Sequence, residues 1–142
     1  MSSNTSIARV LITGSRSWPD KSAVYAALDD AYENRFSGQG MVVVHGAARG
    51  ADTMAHLWAR AKERAGVSDV YIEVHHANWR PNDVLDKSAG HKRNLEMVNA
   101  GADLVLAFIH NRSAGATGCM RAAMRAGLEV QLLRIDDDKE KQ

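Results

Sequence analysis

Short runs of β-branched and other apolar residues alternate along the chain with longer stretches in which apolar positions recur every three or four residues. No repeat or low-complexity linker interrupts this alternation. The short runs predict five strands: Ala8 to Thr13, Met41 to His45, Val70 to His75, Leu104 to Ile109 and Glu129 to Arg134. Most are apolar almost throughout, as strands are when helices cover both faces of a parallel sheet. The longer stretches predict helices. Asp20 to Tyr32 carries Val24, Ala27, Leu28 and Ala31 at helical spacing behind a Pro19-Asp20 start, and Ala51 to Ala65 repeats the pattern through Met54, Ala55, Trp58 and Ala61 before Gly66. Ser88 to Ala100 and Gly118 to Ala126 complete the set, each followed by glycine. Pro81-Asn82-Asp83 breaks any period between His76 and Lys87, which predicts a long irregular loop around Trp79, a feature often functional in compact domains. The fold expected is α/β: one three-layer domain over residues 7–135 with a mostly parallel sheet of about five strands. The polar head, 1–6, and charged tail, 136–142, are expected to be flexible ends and are given no function.

Composition narrows the uses of such a fold. The 142 residues are 45% hydrophobic, enough to bury a full core without disulfide or metal. Eighteen basic and 17 acidic residues leave a net charge of +1. No global field therefore draws the chain to nucleic acid or to a membrane, and a phosphate site has to be local. The single cysteine, Cys119, excludes an intramolecular disulfide, and neither a signal-like segment nor an apolar run of about 18 residues occurs. A soluble cytoplasmic protein is expected.

In an open parallel sheet the loops after the strands' carboxyl ends lie side by side, so candidate chemistry is sought there. The first reads Thr13-Gly14-Ser15-Arg16-Ser17-Trp18: a glycine that admits a bulky group, hydroxyl and amide donors, and an arginine able to grip phosphate with two bonds. Neither the G-x-G-x-x-G nor the G-x-x-x-x-G-K-[ST] spacing is present, so a tight turn with an exposed arginine is the alternative. The second loop, His45-Gly46-Ala47-Ala48-Arg49-Gly50-Ala51-Asp52, delivers a helix N-terminus whose amides and dipole favour an anion. Asp52 either complements that dipole and bonds to free amides, the preferred reading, or holds a ribose hydroxyl and serves as an acid or base. Gly90-His91-Lys92-Arg93-Asn94 opens a later helix; Lys92 reads as solvated, while Arg93 and Asn94 are candidates to clamp phosphate or ribose. The last loop, Asn111 to Gly118, runs straight into a helix, so Ser113, Gly115, Thr117 and Gly118 are expected to form an anion nest.

Other candidates carry less. His45, His75, His76 and His110 fall at strand ends without zinc-ligand spacing, and no metal is expected. Cys119 reads as a packing residue. Trp58 belongs to an apolar helix face, whereas Trp18 and Trp79 lie in loops, where wall and base-stacking platform are equally open.

Taken in order, G-S-R with W-x-D, H-G-x-x-x-G-A-D, R-N-x-x-M, A-D-x-x-x-A-F and a terminal G-x-T resemble the SLOG superfamily, close to its YspA-like branch, from about Val10 to Leu133. The resemblance implies a Rossmann-like domain akin to the lonely guy phosphoribohydrolases, to the DNA-processing protein DprA and to sensors of nucleotide-derived ligands. It implies that Gly14, Ser15 and Arg16 line the ligand, with Gly46, Gly50 and Asp52 opposite; Trp18 and Arg49, in the same two loops, are counted beside them as candidate ligand contacts. Arg93 matches the active-site arginine of the phosphoribohydrolases, beside Asn94, and Gly115 and Thr117 match their phosphate loop. Those enzymes read G-G-x-G-T-x-x-E there; this chain has Ala116 before the threonine and Met120 where the glutamate stands. Since glycosidic cleavage needs a carboxylate, nucleotide binding without turnover, as sensor or sequestering protein, is the leading expectation. A nucleoside-monophosphate phosphoribohydrolase using Arg93, Asp52 or another acid such as Asp83 or Asp86 is the alternative, and a DprA-like partner in DNA processing the third. No cofactor is expected, a homodimer is plausible by resemblance, with Met97, Met120 or Met124 at its contact or in the core, and membrane and nucleic-acid partners are not expected.

Overall fold

Valine, leucine and isoleucine fill the central strands so completely that only a sheet covered on both faces can bury them. The computed structural model describes residues 7–137 and forms such a sheet from β1 (Ala8–Gly14), β2 (Met41–His45), β3 (Val70–Val74), β4 (Leu104–His110) and β5 (Val130–Ile135). The strand order is β3-β2-β1-β4-β5 and every pairing is parallel. The helices are α1 (Lys21–Asp30), α2 (Ala51–Arg64), α3 (Ala89–Asn99) and α4 (Ala114–Arg125). Alternation along β1 divides the core. Ala8, Val10 and Ile12 pack with Val24 and Leu28 of α1 and Ala55 and Trp58 of α2. Leu11 turns to the other face, against Met97 and Val98 of α3 and Cys119 and Ala123 of α4. The result is a three-layer α/β arrangement.

Most expected elements hold to within a residue or two, and the departures have local causes. Asp20 caps α1 by accepting from the Ala23 amide, and a wider π turn, Ala31–Arg35, carries the chain past Tyr32. The edge strands are not apolar throughout: β3 exposes Tyr71 and β5 exposes Gln131 and Leu132, because no neighbour covers a sheet edge. The main correction concerns α4. It begins at Ala114, not Gly118, so most of the expected glycine-rich loop is helix. Burial of Ala116 and Cys119 on the sheet outweighs the low helix propensity of the glycines. The irregular loop is present, relieved by a single 3-10 turn at Pro81–Asp83.

The head, 1–6, and tail residues 138–142 lie outside the described residues. At the end of the described residues the Asp137 amide donates to Asn111 Oδ1. Among the described residues no helix is long and apolar enough to cross a membrane. Met97 is core, and Met124 is exposed.

Candidate functional site

With β2 on one side of β1 and β4 on the other, the chain leaves β1 and β4 in opposite directions, and the loops part at their carboxyl ends. A cleft of about 630 Å³ opens there, within the roughly 300–1,000 Å³ of small-molecule sites.

The first wall comes from the loop after β1. A Cβ on Gly14 would collide with the Ala51 Cβ and lie 3.2 Å from the Phe108 carbonyl, so glycine lets α2 close onto the strand. Ser15 is buried, and its hydroxyl accepts from the His110 amide at 2.9 Å while its own amide donates to Phe108 O. The serine thus ties β1 to β4 and lines the cleft at that join. Arg16 is exposed at the rim. Trp18 stands apart from the ligand position expected of it: it is 3% exposed, donates its indole N–H to Asp20 O and meets Phe108 edge-on at 5.4 Å. An aromatic ring one side of which packs on the core gains more by burial than by waiting for a base. The tryptophan at the cleft is Trp79, 42% exposed, whose ring passes over the first turn of α3 where Gly90 leaves room.

The second wall is the turn from β2 into α2. Its backbone is held at three points. His45 Nδ1 accepts from the Ala47 amide, fixing a residue whose φ is +61°; Asp52 Oδ2 accepts from the amides of Gly46 (3.0 Å) and Ala48 (3.2 Å); and Arg93 Nη1 donates to the Gly46 carbonyl. Arg93 Nε also donates to Asn94 Oδ1 at 2.7 Å, so the two residues expected to act together are joined. A Cβ at Gly46 would sit 2.6 Å from that guanidinium, and one at Gly50, where φ is +79°, would strike the carbonyls of Ser15 and Arg16. Asp52 does bond to backbone amides, as preferred from sequence, but to those of the preceding turn. It is 4% exposed, and burial raises its pKa from 3.8 to about 6 against the pull of those amides and of Arg93.

The third wall is the start of α4. Ser113 occupies the N-cap with extended backbone, no side chain caps the helix, and its first turn contains no acid. The first amides of a helix have no intrahelical acceptor, and its dipole adds a partial positive charge there. Gly115 and Gly118 line the cleft in helical conformation, and a Cβ at either would meet nothing within 4 Å.

The cleft brings together Gly14, Ser15, Arg16 and Asp52 from one side, and Arg93, Asn94, Ser113, Gly115 and Gly118 from the other. Gly46 and Arg49 line a smaller recess, of about 310 Å³, that shares Arg16, Ala48, Trp79 and Arg93 with it. Gly50, Thr117 and Trp18 line neither. Met120 is partly buried and also lies outside the lining. Sequence reasoning passed over Lys87 and Arg112, which join Arg16 and Arg93 as basic side chains lining the cleft, with Asp52 as the acid in that lining. Their position in loops after a strand was the available signal. A nearly neutral chain thereby acquires a locally positive pocket.

The strand-end histidines disperse. His45 is held neutral, with a pKa near 4, by burial first and then by its neighbours His56, His76, Arg93 and His75. Since its Nδ1 accepts from Ala47, its Nε2 carries the proton and donates to His56 Nδ1 at 2.9 Å. His75 sits between Glu73 and Glu96, and His110 between Ser17 and Asp137. Among the described residues no three metal-ligating side chains converge. Cys119 is buried, which raises its pKa and keeps the thiol inert.

A family model described as "YspA, cpYpsA-related SLOG family" matches residues 8–81, from β1 through β3 and into the irregular loop. The chain is similar to the Gene 61 protein of Mycobacterium phage D29, with 50% identity over 122 residues, which make up 86% of this chain and 93% of that one. No solved structure gives a significant match.

Proposed function

The chain belongs to the YspA, cpYpsA-related SLOG family, and from that premise we propose that it binds a nucleotide or nucleotide-derived ligand in the cleft between β1 and β4, as a sensor or sequestering protein that leaves the ligand intact. The observation that carries this reading is the pair Gly115 and Gly118. Glycine within a helix costs about 0.5–1 kcal/mol relative to alanine, and here neither backbone conformation nor packing asks for it. What both glycines keep open is the space over the uncapped amides of α4. A phosphate fits that space: the amides bond to it, the helix dipole favours its charge, and Arg16, Lys87, Arg93 and Arg112 supply counter-charge. Trp79 at the rim offers a face to a base.

A second reading, nucleotide N-glycosidase, is supported by Asp52, a buried cleft carboxylate whose pKa near 6 suits proton transfer at neutral pH. Against it stands Met120, in the position of the family glutamate and outside the cleft lining. The two readings separate in one experiment. The protein is mixed with nucleoside monophosphates, ADP-ribose, NAD and cyclic nucleotides, its melting temperature is recorded, and each mixture is chromatographed. A stabilising shift with the ligand recovered whole is expected. Free base and ribose phosphate would install the second reading, and no shift with any nucleotide would end both.

A further inference from the structure

Among the described residues one buried side-chain polar atom has no hydrogen-bond partner: Oδ1 of Asp52. Native proteins rarely leave such an atom unpaired, so each case calls for a cause. Asp52 lines the cleft, as do Ile12 and Thr13, and is 4% exposed. Its orientation is set, because Oδ2 takes the Gly46 and Ala48 amides and the carboxylate cannot turn without breaking both. Nor does the neighbouring cation satisfy Oδ1: the hydrogen bonds of Arg93 run from Nη1 to Gly46 O and from Nε to Asn94 Oδ1, and none of its five N–H groups bonds to Oδ1. An ionised carboxylate only accepts, so its complement is a donor.

We infer that Asp52 is a specificity-determining residue whose Oδ1 accepts a hydrogen bond from an O–H or N–H of the bound molecule. The ligand is then anionic at the α4 end of the cleft and carries a donor, a sugar hydroxyl or an exocyclic amine, at the Asp52 end. This rests on the nucleotide reading of the cleft and adds to it the group that is recognised. Because the hydrogen bond favours the ionised carboxyl, binding near pH 6 releases a proton. The charged or titratable groups that act on Asp52 are Arg93 from α3 and Cys119 from α4, whose thiol burial pushes up.

Titration calorimetry with AMP, its 2′,3′-dideoxy analogue, IMP and inorganic phosphate, on the wild type and Asp52→Asn, tests this. The asparagine carbonyl can keep the Gly46 and Ala48 bonds and places an NH2 where Oδ1 was, turning acceptor into donor. AMP affinity is expected to fall roughly tenfold or more in the variant while phosphate affinity holds. The dideoxy analogue losing the same factor in the wild type and no more in the variant identifies a sugar hydroxyl; IMP behaving so identifies the amine. Proton release at pH 6, read from the dependence of the heat on buffer, is expected to be larger in the wild type than in Asp52→Asn, because the nucleotide's phosphate, with a second pKa of about 6, contributes alike in both. Equal AMP affinity in both proteins overturns the inference but leaves the nucleotide reading standing, whereas failure of phosphate and of every nucleotide tried to bind the wild type removes both. Should Asp52→Asn not fold, the wild type alone decides: equal affinity for AMP, dideoxy analogue and IMP overturns the inference.

Discussion

Gly14, Gly46 and Gly50 on one side of the cleft and Gly115 and Gly118 on the other are glycines for different reasons. At the first three, the protein's own atoms occupy the place of a Cβ: Ala51, the Arg93 guanidinium, and the carbonyls of Ser15 and Arg16. At the last two, helical backbone surrounds an empty place. In sequence both regions look like small-residue loops at strand ends, and both were read as ligand contacts. The steric surroundings separate them: the first group lets the loop after β1, the start of α2 and Arg93 of α3 close in on one another, and the second leaves a place that no protein atom fills. Counting glycines near a pocket therefore says little until one asks what each glycine avoids.

Substitutions should divide along the same line. The largest effect is expected at Gly50→Ala, which combines φ of +79° with collision against two carbonyls. A loss of about 3 kcal/mol or more in urea denaturation is predicted, and a neutral result would show that the turn relaxes freely. Next comes Asp52→Asn. The wild-type carboxyl titrates near 6 in the fold against an ordinary 3.8, so the folded state holds its proton more tightly than the unfolded chain. That contribution is present below pH 4 and is lost as pH rises through 6, about 3 kcal/mol in all. Asparagine does not titrate, so the variant's stability relative to wild type is expected to rise by about that amount between pH 4 and 7. A difference independent of pH would place the carboxyl's titration elsewhere. Arg93→Ala removes the donor to Gly46 O and is expected to cost about 1–2 kcal/mol, together with weaker nucleotide binding, measured by melting and titration. The smallest effect has the opposite sign: Gly118→Ala is predicted to stabilise the ligand-free protein by about 0.5–1 kcal/mol.

The parts of the fold that depend on periodicity were readable from the chain. Strand β1 and helix α2 lie within a residue of where alternating apolar runs and helical spacing put them, because burial of Val10, Ile12, Ala55 and Trp58 dominates locally. Only residues 114–117 depart from the expected loop, since Gly115 and Gly118 argue locally against helix, while the burial that overrides them, of Ala116 and Cys119 against the sheet, is a tertiary fact. Trp18 was uncertain for the same reason: Phe108, the ring it packs on, is 90 residues away along the chain. The cleft itself was half legible. Arg16, Asp52, Arg93 and Asn94 were found through their motifs, whereas Lys87 and Arg112 carry no motif and join the site only through strand order. The free oxygen on Asp52 was beyond reach of sequence, as it depends on where Gly46, Ala48 and Arg93 point.

The central claim is that α4 begins at a ligand phosphate. It is tested most directly by measuring stability and affinity together in a Gly115→Ala/Gly118→Ala variant, using the nucleotide that stabilises the wild type most. Higher ligand-free stability with affinity reduced roughly tenfold or more is predicted, because the two methyl groups complete the helix and fill the space over its amides. Unchanged affinity in a variant that is equally or more stable would contradict the account and place the ligand elsewhere.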